Sequence, residues 1–227
     1  MRNLIFLIII VVMYIAVDSC QAIEVLNEPI KGTVVVATEP ADLNDERLIP
    51  AVRQENKIEV AVQWAIKIAE NSTHGYSQGA ENATGNHPYT GSREGPDYDC
   101  SSLVYHALSH AGFDIIEAWR NNPAYWNLYN GQQETGDADT IWPDLQVIGG
   151  FTRYEWDDIK NNLERGDILC NPQYHVAIYI GDGKTVEARG VNNPIGGDWY
   201  TGDQGGEIDF YSAYGRSWTE VYRYTGM

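Results

Sequence analysis

Apolar positions recur at helical spacing twice in the first half of the chain, and at strand spacing through the second half. Ile58, Val62, Ala65, Ile66 and Ala69 form one stripe, which closes at Asn71 and predicts a core helix. Leu103, Val104, Ala107, Leu108 and Ala111 form another, which opens after the turn-forming run GPDYD and stops at Gly112. From residue 167 the period changes. Residues 167–170, 175–180, 185–189, 207–211 and 220–224 are β-rich runs parted by turn residues, Gly181-Asp182-Gly183 among them. In HVAIYI, alternation places His175, Ala177 and Tyr179 on one face and Val176, Ile178 and Ile180 on the other. Helices followed by consecutive strands predict an α+β domain, the second helix packed on a central antiparallel sheet.

Two stretches lack such a period. Residues 72–93, rich in Gly, Asn, Ser and Thr, predict a long surface loop. Residues 114–155 carry Trp119, Tyr125, Trp126, Tyr129 and Trp142, and predict a short helix after Pro123 and then turns. Those aromatics either line a groove or complete the core.

The N-terminal third divides by composition. Arg2, the apolar run 4–17 and the small residues up to Ala22 predict an export signal over residues 1–22, with an uncleaved anchor as the alternative because the run is short for a bilayer span. Residues 23–56 are acidic and hold Pro29, Pro40 and Pro50, which predicts a linker or pro-segment, or else a strand at 33–37 that packs onto the domain. Residues 57–227 are then a single domain, secreted and without stable membrane insertion once the signal is removed. The formal charge of −17 disfavours nucleic acid as a partner and electrostatic adhesion to anionic membranes or wall polymers. Any affinity for such a matrix must come from a shaped groove.

Cysteine usage points to chemistry. Two of the three cysteines, Cys100 and Cys170, lie beyond the signal, too few for a disulfide scaffold. Cys100 falls in the first turn of the second predicted helix, where free backbone N–H groups and the macrodipole favour a thiolate. A bridge to Cys170 would abolish that reactivity, and Cys170 otherwise packs as a small apolar strand residue. A thiol nucleophile needs a base and a group that orients the base. His175, opening a strand, can be held rigidly over a packed helix. His106 and His110 have two-histidine metal spacing but lack the adjacent glutamate and a third ligand, so no metal is expected. His74 and His87 lie in the predicted loop.

The phrase DCSSLVYHAL, followed some seventy residues later by RGDILCNPQYHVAIYIGDGKTVEA, resembles the NlpC family of papain-like cell-wall cysteine peptidases, which cut peptidoglycan stem peptides. Phage and Firmicute lysin members are the most similar in flavour, carrying phrases like HGYSQ, GPDYDCSS and GDQGGEI. The resemblance spans about residues 59–224. It implies a papain-like fold, Cys100 as nucleophile at a helix N-terminus, His175 as general base, and Tyr76 as a hydroxyl that helps bind the oxyanion. Asp99 precedes the nucleophile as in the family, as a cap or support. The third triad member is usually a histidine on the next strand, where this chain has Glu187. A carboxylate can fix the imidazole tautomer; the alternative is a surface glutamate, with Asn192 or Asn193 as orienter. No cofactor is implied. The implied substrate is peptidoglycan or a muropeptide, cut between D-glutamate and the diamino acid, or between the sugar and L-alanine by an amidase. Acyl transfer on the same scaffold, and a catalytically silent wall-binding or effector protein with Cys100 tied to Cys170, are the readings from other classes.

Overall fold

The computed structural model describes residues 48–79, 92–123, 133–190, 201–203 and 205–226, with side chains from residue 57 onward. All of these lie in one compact unit. The export signal, the strand alternative at 33–37, Cys20, His87, Tyr89, Tyr125, Trp126, Tyr129, Asn192 and Asn193 fall outside the described residues.

Both predicted stripes are helices. Helix α1 spans Leu48–Ala69, beginning inside the stretch read as linker, and α2 spans Cys100–His110. Seven residues of α2, from Ser101 to Tyr105 and then Ala107 and Leu108, are buried, so it is a central helix and not a one-sided surface one. It ends at Gly112, whose φ of 79° a residue with a Cβ adopts poorly.

Pro123 is helical, but the short helix expected after it falls on residues 124–132, outside the described residues. Helix α3, Ile115–Asn121, precedes the proline, and α4, Ile141–Ile148, and strand β1, Phe151–Glu155, follow. Trp119 is fully buried and Trp142 stacks on Tyr222 at 5.2 Å, so both of these aromatics complete the core.

After a single turn, α5 (Trp156–Ile159), come β2 (Ile168–Asn171), β3 (His175–Gly181), β4 (Lys184–Ala188), β5 (Ile208–Ser212) and β6 (Glu220–Tyr224). The six strands form one antiparallel sheet in the order β1-β6-β2-β3-β4-β5. Each face is covered. Val176, Ile178, Val186 and Cys170 join the main core with α1 and α2, while Leu169, Ala177, Tyr179, Trp218 and Val221 form a second, smaller core behind the sheet. The alternation read from HVAIYI therefore sorts β3 between two apolar layers, which is why its first five residues are all buried. This is an α+β fold with a papain-like disposition: a cysteine at the start of a central helix, a histidine at the start of a central strand.

Candidate active site

Cys100 opens α2 through a capping box. The Asp99 carboxylate accepts from the Ser102 backbone N–H at 2.8 Å, and the Ser102 hydroxyl accepts from the Asp99 N–H at 2.9 Å. Buried Arg93 braces Asp99 from behind, with Nη2 and Nε 2.9 and 2.7 Å from its two carboxylate oxygens. The same guanidinium donates to the carbonyl of Gly136 at 3.0 Å. Asp99 thus caps the helix and fixes its first turn, and its charge has its own cation.

Three phrases scattered through the sequence converge beneath this turn. The Asp97 carboxylate accepts from the Gly75 and Gly202 N–H groups at 2.8 and 3.0 Å, and Tyr98 bridges Tyr76. The Glu207 carboxylate accepts from the Tyr76 N–H at 3.2 Å. At Gly75 a Cβ would lie 2.2 Å from the Gly202 carbonyl oxygen, so HGYSQ and GDQGGEI need glycines where their backbones press together. The start of the predicted surface loop is consequently interior: Tyr76 and Ser77 are buried, and His74 Nδ1 lies 2.6 Å from the Pro96 carbonyl oxygen. The cause is the buried Asp97 and Glu207 carboxylates, which need donors and find them in backbone N–H groups.

Cys100 is half-buried, and its sulfur meets the sheet at the start of β3, beside the Val176 backbone N–H. Burial, and then the Asp99 carboxylate, push the thiol up to about 12, with the Val176 N–H and Arg93 pulling the other way. Burial and the Asp99 carboxylate outweigh the Val176 N–H and Arg93 at the resting sulfur, so a place at a helix start is not by itself enough to make it a thiolate. Tyr76 stays protonated: burial comes first, then the nearby Cys100 thiol, in raising its phenol above the ordinary range. Its hydroxyl accepts from Gln78 Nε2 at 2.9 Å.

His175, one residue from that contact, is 7% exposed and stacks on Trp218 at 5.7 Å. Its Nε2 is 2.9 Å from Glu187 Oε2, and among the described residues its Nδ1 has no hydrogen-bond partner. Glu187 is not a surface glutamate. It is 0% exposed, and it also accepts from Thr185 Oγ1 at 2.8 Å and Arg216 Nε at 2.6 Å. Desolvation holds the His175 imidazole below its ordinary value, against the Glu187 carboxylate, which raises it. The imidazole, with Arg216 and Thr185, holds Glu187 below the usual carboxylate range despite its burial. The result is a neutral thiol, a neutral imidazole and an ionised carboxylate.

The other histidines do not join this group. His106 Nε2 pairs with Glu94 at 2.8 Å on the far side of Tyr98, and His110 lies against Trp64. No cluster able to hold a metal ion exists among the described residues. Cys100 and Cys170 are both free, and Cys170 is buried on β2 with its thiol pushed up to about 12 by burial. Sequence reasoning passes over Arg93, Thr185, Arg216 and Trp218. Thr185 and Glu187 share a face by strand alternation, a readable signal, whereas Arg216 arrives from a turn 29 residues away in sequence and leaves none.

The profile of the NlpC/P60 family matches residues 85–223, more than half of the chain. No curated protein matches. Among solved structures, Rv1477, a hypothetical invasion protein of Mycobacterium tuberculosis, is similar at 19% identity over 78% of this chain, with a TM-score of 0.40. The Resuscitation Promoting Factor Interacting protein RipA is similar at 18% identity over 78% of this chain, also at 0.40. The chain covers 66% of each of those two, just under two thirds of their length.

Proposed function

The chain belongs to the NlpC/P60 family, a family of peptidoglycan-hydrolysing cysteine peptidases, and on that premise we propose that it is a secreted endopeptidase cutting stem peptides between D-glutamate and the diamino acid. The observation that carries the reading is the buried Glu187 carboxylate 2.9 Å from His175, beside the strand start where the Cys100 sulfur sits.

With thiol and imidazole both neutral at rest, His175 acts as a true general base. As the sulfur attacks the amide carbonyl, its proton passes to Nδ1, because Nε2 is committed to Glu187. Glu187 stabilises the imidazolium that forms and keeps the ring in the required tautomer. The Cys100 backbone N–H and the protonated Tyr76 hydroxyl bind the oxyanion. Collapse expels the amine, which takes the His175 proton, and water then attacks the thioester under the same base.

Replacing Cys100 by alanine abolishes wall hydrolysis while leaving the circular dichroism spectrum unchanged; full activity in that variant would sink the proposal. Mass spectrometry of digested walls identifies the bond. An endopeptidase leaves L-alanyl-D-glutamate on the sugar, whereas an amidase frees the whole stem.

A further inference from the structure

Arg216 lies in the turn between β5 and β6 and takes no part in the proton transfers between Cys100 and His175. Its Nε donates to Glu187 Oε2, the same oxygen that His175 Nε2 approaches. The rest of the guanidinium belongs to an open cleft of about 330 Å³ that runs past His175, between Tyr174 and Trp218. The Arg216 side chain is 33% exposed, and among the described residues its two terminal nitrogens have no acceptor. None of the residues lining the cleft carries a carboxylate.

The terminal edge of the Arg216 guanidinium is therefore a cation that the cleft presents without an acceptor among the described residues. At rest, Glu187 and Arg216 neutralise each other around a neutral imidazole. Once His175 takes the thiol proton, the charge formed on the sulfur passes to the oxyanion, so the terminal edge of Arg216 stays available to an anion of the substrate. The chain as a whole, at −17, repels anions, so a substrate carboxylate needs a local cation to reach this position. A guanidinium fixed at Nε presents its terminal edge to a carboxylate at little further entropic cost.

We propose that Arg216 is both a positioning residue for Glu187 and the anchor for a free carboxylate on the substrate residue that supplies the leaving amine. That residue lies over the cleft because His175 delivers its proton there, an assignment that rests on the peptidase reading. The enzyme then selects short stem peptides in which the diamino acid carries a free carboxylate, and discriminates against amidated or extended ones.

The test is calorimetric binding to the Cys100→Ala chain of L-alanyl-γ-D-glutamyl-L-lysine and of its C-terminal carboxamide. The acid binds about tenfold tighter than the amide, the scale of one charge-assisted hydrogen-bonded contact at a part-exposed site. Adding Arg216→Gln brings the ratio to about one, and Arg216→Lys keeps part of it. Equal affinities in the Cys100→Ala chain overturn the proposal. So does a ratio that survives Arg216→Gln while both peptides lose affinity alike, since that marks a purely structural arginine. Turnover of the acid by the unsubstituted chain reports on the peptidase reading separately: preferential binding without cleavage removes that reading and leaves the carboxylate anchor standing.

Discussion

Glu187 is a buried carboxylate whose three partners divide its two oxygens: Thr185 takes Oε1, while His175 and Arg216 share Oε2. Removing a buried charge leaves the partners stranded, so an alanine here would confuse stability with catalysis. Glutamine keeps the shape and removes only the charge. Because the carboxylate raises the His175 pKa against desolvation, its loss lets that pKa fall further. The acidic limb of kcat/KM, already below the ordinary imidazole value, then moves to lower pH in Glu187→Gln. The imidazolium also loses its counter-charge, so kcat drops by about a hundredfold or more, within the usual span of acid–base contributions. A pH–rate profile checks both; a limb that rises or stays put would show that Glu187 does not set the base. At this scale the sequence is most readable where residue type and strand position coincide, as at His175 and Glu187. It misleads on the thiol, because burial is a tertiary property that a helix-start argument does not contain.

The RGDI turn entering β2 shows why a short motif recurs without touching the chemistry. Arg165 pairs with Glu59 of α1 at 2.8 Å, and Asp167 accepts both Nε and Nη2 of Arg223 on β6 at 2.8 and 2.7 Å. Between them Gly166, at φ 95°, lets α1 approach so closely that a Cβ there would lie 1.9 Å from Ile58 Cγ2. Gly166→Ala should therefore cost about 2–4 kcal/mol, summing left-handed backbone strain and overpacking. Urea unfolding measures the loss, with hydrolysis by the folded fraction retained; a change under about 0.5 kcal/mol, the size of an ordinary surface substitution, would mean that α1 is free to slide. Elements with strong periodicity or hairpin signals, α2 and the β3–β4 hairpin, are legible in the sequence. Strand β1 is not, since it is an edge strand defined by its pairing with β6, and FTRYE carries too little alternation to announce itself. The interior course of residues 75–77 is equally hidden, because its polar composition is explained only by Asp97 and Glu207, far away in sequence.

Across the whole molecule, charge governs the encounter with substrate. A net −17 with a sequence pI near 4.5 sets the protein against an anionic wall at neutral pH. Attraction at Arg216 is local and partly desolvated, whereas the repulsion is long-range and acts through water, so salt affects the two unequally. Raising the ionic strength from about 0.01 to 0.15 M shortens the screening length from about 30 to 8 Å, which removes most of the repulsion and little of a contact at hydrogen-bond distance. Hydrolysis of intact walls should accordingly rise several-fold over that range, through a faster approach of enzyme to substrate and not a faster chemical step. Cleavage of a soluble stem peptide with no net charge should stay flat over the same range and serves as the internal control. Turbidity loss of purified walls beside a chromatographic peptide assay, both run across the salt series, gives the comparison. A wall rate that falls as salt is added would show that the protein is drawn to its substrate by charge and would overturn the repulsion argued from the net −17.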